Sequence, residues 1–513
     1  MSADLNNPLT EELIGSPPVS PSFSPMGGDG GGRKLGFARK CALALAAILS
    51  LFLVADISLP PPLERAGAYS PLVLDREGRW LHAFATEAGR WRFKADIDTI
   101  DPVFIERLVA VEDKRFYGHP GVDLAALARA LKDAVSSGRV TSGASTITMQ
   151  AARLLEPRER TIGSKAVEIL RALQIESRLS KKEILELYLT LAPYGGNLEG
   201  VRAASLVYFG HEPAHLSDAE QALLIALPQA PEARRPDLRP KAATAARRAV
   251  LARLEKVGAL ERARSAEAAE ASLPSRRAPL DRHAFHVAHE LATGASEDGV
   301  IRSTLDVRLQ ALAEDRAAAY AARLDDGATI ALMIVDTRTR AVRASVGSAS
   351  LKAAGGWIDL TNAVRSPGST LKPIIYGLAF EEGLAGPDTL IDDMPQSFDG
   401  YSPENFDRTF RGEVRLSDAL QHSLNVPAVT LLDRLGADRL AAVLEASGVH
   451  LKGPKRAERN FGLTLALGGA GVTMRDLAAL YTGLANGGSV APLVWRADEE
   501  TRDADAFQMF SPT

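Results

Sequence analysis

The passage from residue 104 to residue 135 constrains the fold more than any other. Phe104, Leu108 and Val111 fall at helical spacing on one stripe, and Leu124, Leu127, Leu131 and Val135 form a second stripe that opens at Asp123, a good N-cap. Between the stripes run Glu112, Asp113, Lys114, Arg115, Phe116, Tyr117, Gly118, His119, Pro120 and Gly121, where the glycines and the proline break the backbone. The spacing predicts two helices joined by a loop dense in carboxylates, cations and aromatics, and sites are often built on such loops. Taken alone, an acidic pair beside an aromatic is an ordinary solvated helix end, so the rest of the chain has to decide.

With 513 residues, 46% of them hydrophobic, the chain is long enough for two or three domains with real cores. A net charge of −4 argues against a nucleic-acid partner. The lone Cys41 excludes an intrachain disulfide and a thiolate metal site, and no metal centre is expected. Residues 1–32, rich in Pro, Ser and Gly, read as a disordered tail. Arg33, Lys34, Arg39 and Lys40 then precede an apolar run from Cys41 to Leu59, which Pro60, Pro61 and Pro62 close.

A bilayer-spanning helix needs about 20 apolar residues, so 33–59 is expected to be a signal-anchor span. The basic cluster on its N-terminal side places the tail in the cytoplasm and all later residues outside. A charge at the bilayer centre costs on the order of 3 kcal/mol, so Asp56 belongs at the far interface. A cleaved signal peptide is the rival reading, but no clean small-x-small site follows the run.

Residues 60–100 read as a β-containing lead-in. Leu72 to Leu74, a turn over Asp75 to Gly78, and Trp80 to Phe84 predict strand, turn and strand. Residues 101–258 have helical texture. Ser145 is placed to cap a helix carrying Thr146, Thr148 and Gln150, and hydroxyls and amides at a helix start suit an anionic ligand. Ser164 is expected to cap the next helix, where Lys165 and Glu168 share a face and Arg171 continues it. Lys181 to Leu189 form an amphipathic helix, followed by a glycine-marked loop from Tyr194 to Gly200.

Five blocks of this region, in order, resemble the motifs of glycosyltransferase family 51, the peptidoglycan polymerases. They are Glu112 to Gly121, Gly143 to Gln150, Lys165 to Glu168, Lys181 to Thr190, and Arg247 with Val250 and Leu251. Ala144, Met149, Ser164 and Thr190 depart from the family pattern, and Met149, Arg153 and Leu154 together resemble the type C branch of class A penicillin-binding proteins. The resemblance implies an all-α, lysozyme-like domain lying on the outer leaflet. It implies lipid II and the growing glycan chain as substrates, with Glu112 and Glu168 catalytic. Asp113, Phe116, His119, Ser145, Thr146, Gln150, Arg153 and Lys165 are then expected to bind substrate.

Polymerisation requires a sugar hydroxyl to lose its proton while it attacks an anomeric carbon and lipid pyrophosphate leaves. A free glutamate has a pKa of about 4.3, and burial beside Phe116 with Asp113 close by would favour a raised value for the base. Lys165, Arg153, Ser145 and Thr146 are residues of the kind a leaving pyrophosphate needs. No cofactor is required, and whether a divalent cation (Mg or Mn) assists is open at this point.

Residues 259–300, rich in Ala, Arg, Glu and Ser, read as a linker, either a solvated helix or a hinge. From 301 to 513 the texture is α/β, with strands over 328–335 and 341–346. Ser369 and Lys372 stand three apart at a helix start, so the lysine can take the serine's proton while helix amides face an oxyanion. A bare Ser-x-x-Lys is common by chance. Joined to Ser423, Leu424 and Asn425, it resembles the first two motifs of penicillin-binding transpeptidases. That resemblance implies catalytic Ser369 and Lys372, and Ser423 and Asn425 against peptidoglycan stem peptides or β-lactams. The third motif, Lys-Thr/Ser-Gly, is absent from the sequence, so the domain is expected to be cut short of its C-terminal part.

The expectation is therefore a multidomain protein of the bacterial inner membrane, single-pass, with both domains extracytoplasmic. It is expected to polymerise glycan and to carry a doubtful transpeptidase. The alternative is a peptidoglycan-sensing or scaffold protein with little catalysis. A lysozyme-like hydrolase shares the single-glutamate logic but does not call for a pyrophosphate-binding set.

Overall fold

The computed structural model describes residues 52–129, 145–159, 161–294, 298–324, 328–453, 461–500 and 505–511, with positions 39, 40, 43, 46, 47, 50 and 296 besides. The chain divides into two compact units, Met1–Pro61 and Pro62–Thr513. In the first, the described positions from 39 to 58 are helical. No helix among the described residues is long and apolar enough to cross a membrane. The expected tail over 1–32 and most of the apolar run up to residue 51 lie outside the described residues.

The second unit opens on β1 (Leu72–Leu74) and β2 (Trp80–Ala83), paired antiparallel as the spacing predicts. Asp75 makes the turn, accepting from the backbone N–H groups of Glu77 and Arg79, so a side chain satisfies the turn's own donors. β3 (Trp91–Arg92), β4 (Pro193–Gly195) and β5 (Leu198–Glu199) form a second small sheet in the order β3–β5–β4.

Among the described residues, helices α1 (Pro102–Glu112), α2 (Ile147–Leu155), α3 (Ile162–Glu176), α4 (Lys181–Leu191), α5 (Val201–Phe209), α6 (Asp218–Ala226), α7 (Pro240–Lys256) and α8 (Arg262–Glu270) contribute to one core. Asp101 caps α1 and Pro102 sits at its first position, where a missing N–H costs nothing. The helix buries Phe104, Ile105, Leu108 and Val111. On its inner face Arg107 is buried and donates to Asp218 at 2.6 Å and Gln221 at 2.7 Å, which ties α1 to α6. A cation there is tolerated because its donors are paired.

Two caps differ from the expectation. Thr146, not Ser145, caps α2, its hydroxyl accepting from Met149 N–H at 3.1 Å. Thr161, not Ser164, caps α3. In each case a second hydroxyl lies within three residues, and spacing alone does not say which one turns back onto the helix. A capping box of Ser180 and Glu183 starts α4.

Within the stretch read as a linker, α8 packs Ala268 into the helical core. It is held there by Arg247, whose guanidinium donates to the carbonyls of Ala269 and Ala271 at 2.9 and 2.7 Å. Orphan carbonyls at a helix end find their donor in that side chain. Farther on come α9 (Phe285–Ala292) and β6 (Val300–Arg302). β6 pairs parallel with β1, so strands from before and after the helical region share one sheet. Val73, Leu81, Val287, Leu291, Ile301 and Leu305 form their own core beneath it.

The elements that follow include α10 (Val307–Ala321), the antiparallel pair β7 (Leu332–Val335) and β8 (Val342–Val346), α11 (Lys372–Glu381), the pair β9 (Leu390–Asp393) and β10 (Gly412–Arg415), and α13 (Asn425–Leu435) after the short α12 (Leu416–Gln421). Ile374, Ile375 and Leu378 of α11 are fully buried in the core that also holds Val429 and Leu432 of α13. α11, which begins at Lys372, and α13, which begins at Asn425, are thereby fixed side by side.

Candidate active site

Glu112 is the last residue of α1 and is half-buried. Its two oxygens accept from two amides, Oε2 from Gln150 Nε2 at 3.1 Å and Oε1 from Gln229 Nε2 at 2.8 Å. Beneath lies Tyr188 of α4, fully enclosed. Burial, and after it the negative charge of Glu112, holds the Tyr188 hydroxyl well above its usual range, while Arg153 opposes.

Asp113 turns away from Glu112. It accepts from Ile147 N–H at 3.0 Å, at the positive end of α2, and from His119 Nε2 at 3.0 Å. Gly121 N–H donates to His119 Nδ1 at 3.2 Å, so Nδ1 is the acceptor and the ring hydrogen sits on Nε2. Phe116 is fully buried, and the Lys181 ammonium stands 4.5 Å from its ring centroid. Lys181 also donates to the His119 carbonyl at 2.7 Å and to Glu176 at 2.6 Å. Thr146 Oγ1 donates to Gly121 O at 2.6 Å. Gly121 has a φ of +89°, and a Cβ there would lie 2.9 Å from the Ala172 carbonyl oxygen, so only glycine lets the loop pass α3. Asp113, Phe116 and His119 thus form the frame that sets Glu112 against α2.

The start of α2 faces the expected cation. Lys165 Nζ donates to Ser145 Oγ at 2.7 Å and to Glu168 Oε2 at 2.9 Å, on the face of α3 that Lys165 and Glu168 share. From the cap Thr146 to Gln150 is four residues, roughly 6 Å of helix rise. Gln150, which holds the Glu112 carboxylate, and the cap Thr146, next to Ser145, therefore stand about one turn apart on the same helix. Arg153 follows Gln150 by three residues and is half-buried.

The second group of residues is arranged differently from the expectation. Ser369 is exposed on a short 3-10 turn, Gly368–Leu371, while Lys372 at the start of α11 is 1% exposed. Among the described residues no hydrogen bond joins the two. The ammonium donates instead to Ser423 O at 2.6 Å, Asn425 Oδ1 at 2.7 Å and Leu424 O at 3.1 Å, with Ser423 Oγ at 3.2 Å. Burial pushes the Lys372 ammonium down to about 8. Ser423 has a φ of +53°, a conformation that a side chain makes costly, and the lysine holds its carbonyl there.

Asn425 is fixed by groups that sequence reasoning missed. Its N–H donates to Asn405 Oδ1 at 2.7 Å, its amide to Glu404 O at 2.6 Å, and Asn405 in turn donates to both oxygens of the fully buried Asp393 at 2.9 Å. Gln229 was missed as well. Its signal is a polar residue between Pro228 and Pro231, directly after the apolar helix α6, which marks a tight turn at a helix end.

Residues 77–255 match the family model for the transglycosylase, and residues 330–509 match that for the penicillin binding protein transpeptidase domain. Penicillin-binding protein 1C of Escherichia coli is 42% identical over 469 residues, covering 90% of this chain and 60% of that protein. Penicillin-binding protein 1F of Bacillus subtilis is 32% identical over 444 residues, covering 82% of this chain and again 60% of the relative. The chain thus spans about 60% of the length of each of these relatives. One chain thus carries a region similar to the transglycosylase followed by a region similar to the penicillin binding protein transpeptidase domain, and its similarity to penicillin-binding proteins 1C and 1F extends over most of its length.

Proposed function

We propose that the helical region polymerises lipid II into glycan strands at the outer face of the bacterial inner membrane, with the chain anchored by a span over 33–59. The observation that carries this reading is that α2 meets both groups: Gln150 on it holds the half-buried Glu112 carboxylate, and Ser145, just before its cap Thr146, accepts from Lys165, which is paired with Glu168.

In this reading Glu112 accepts the proton of the sugar 4-hydroxyl as that oxygen bonds to the anomeric carbon of a second lipid-linked unit. The bond from that carbon to the pyrophosphate oxygen breaks, and the departing charge is met by Lys165, Arg153 and the Ser145 hydroxyl. Glu168 keeps Lys165 aimed at Ser145. Asp113, Phe116, His119 and Thr146 position the base and the helix start. Exposed Tyr117, Leu124 and Leu127, on the loop and helix just past Glu112, supply an apolar face for the bilayer that holds the lipid substrate.

For the second region the reading is narrower. Ser369, Lys372, Ser423 and Asn425 are the residues proposed to meet stem peptides and β-lactams. The engagement of Lys372 with the 423–425 backbone also favours a second reading, in which this region binds peptidoglycan with little catalysis.

Full-length protein in vesicles, given labelled lipid II, tests the assignment. Long glycan polymer is the expected product. Released disaccharide would instead support a hydrolase, and bound but unconverted peptidoglycan would support a sensing role.

A further inference from the structure

Gln229 lies on the turn Leu227–Gln229 that ends α6, exposed to solvent, yet its amide reaches the base. An amide can present either end to a carboxylate's surroundings, so its orientation has to be set by something. Here Arg234 NH1 donates to Gln229 Oε1 at 3.1 Å. A guanidinium only donates, so the oxygen end of the amide is committed to Arg234 and the NH2 end is left facing Glu112 Oε1 at 2.8 Å. Arg234 is itself anchored. The same NH1 donates to Ala226 O at 2.6 Å, at the C-terminus of α6, where orphan carbonyls and the helix dipole favour a cation.

We propose that Gln229, oriented by Arg234, is a positioning residue for the base: it holds the Glu112 oxygen that Gln150 does not. This rests on the reading of Glu112 as general base. Gln150 holds Oε2 from α2 and Gln229 holds Oε1 from the end of α6, so the carboxylate is held by two elements other than its own helix. Each amide hydrogen also favours the ionised form over the protonated one. A base clamped in this way presents its remaining lone pairs in one direction, toward the incoming hydroxyl. Because Gln229 is exposed, its side chain contributes little to the core, and its removal is not expected to unfold the domain.

The test is the pH dependence of polymerisation by the full chain with labelled lipid II, for wild type, Gln229→Met, Arg234→Met and Glu112→Gln. Gln229→Met keeps the length of the side chain and loses the donor. Its acidic limb is expected to move up by about one pH unit, with a rate about tenfold lower on that limb. Arg234→Met, which frees the amide to turn, should shift the limb in the same direction by less. A purely structural loss would lower the rate at every pH and leave the limb where it is. A Gln229→Met limb that coincides with that of wild type overturns the inference, whatever the rate. Undiminished polymer from Glu112→Gln in the same assay would instead remove the base assignment and the inference with it, so the two failures are told apart.

Discussion

At the scale of single residues, Lys372 shows how burial and bonding pull against each other. Its ammonium is enclosed and pushed down to about 8, yet four oxygens surround it within 3.2 Å. An unfolded lysine keeps its proton to about 10.4, so between roughly pH 8 and 10.4 the unfolded chain binds more protons than the folded one. The lysine's contribution to stability therefore rises with pH across that window, with a slope of up to about 1.4 kcal/mol per pH unit. Unfolding of wild type and Lys372→Met, compared from pH 7 to pH 10, should show the difference moving in favour of wild type as pH rises. A pH-independent difference would mean that Lys372 is not titrating near 8. The grouping of Ser369 and Lys372 with Ser423, Leu424 and Asn425 was legible, but the bonds that the lysine makes there were not. They depend on the left-handed turn at Ser423, on Asp393 at the end of β9 and on Asn405.

At the scale of elements, the joint between α1 and α2 carries the site. Asp113 bonds the first N–H of α2 and the Nε2 hydrogen of His119, and Gly121 N–H already occupies His119 Nδ1. An asparagine at 113 has one oxygen and one NH2 for two donors, and His119 cannot move its hydrogen to Nδ1 without facing Gly121 N–H. Asp113→Asn therefore leaves one donor against another in a buried place, at a cost of roughly 1–3 kcal/mol. The midpoint of thermal unfolding should fall and polymerisation with it, because Gln150 rides on α2. An unchanged midpoint would contradict this account of the joint.

The helices themselves could be read from apolar spacing, since Phe104, Leu108 and Val111 are buried as the stripe requires. The shared face of Lys165 and Glu168, on which the structure pairs them, was equally local, three residues apart on one helix. The caps at Thr146 and Thr161 and the second amide on Glu112 were not legible in the same way. A cap is chosen by a rotamer among neighbouring hydroxyls, and Gln229 is 117 residues from the group it serves.

At the scale of the whole folded unit, β1 and β6 close the helical region on itself by pairing strands from its two ends. That closure is invisible to local periodicity, because it joins residues 72–74 to residues 300–302. Within that region Glu112, the Lys165 cluster and the Asp113 frame all meet at α2, and the proposed chemistry depends on the carboxylate at the end of α1. The most direct test is the initial rate of glycan polymer formation from labelled lipid II by Glu112→Gln, beside wild type at equal folded concentration. Loss of a positioned general base predicts a fall of about 10² to 10⁴ fold. A Glu112→Gln rate equal to that of wild type would contradict the account.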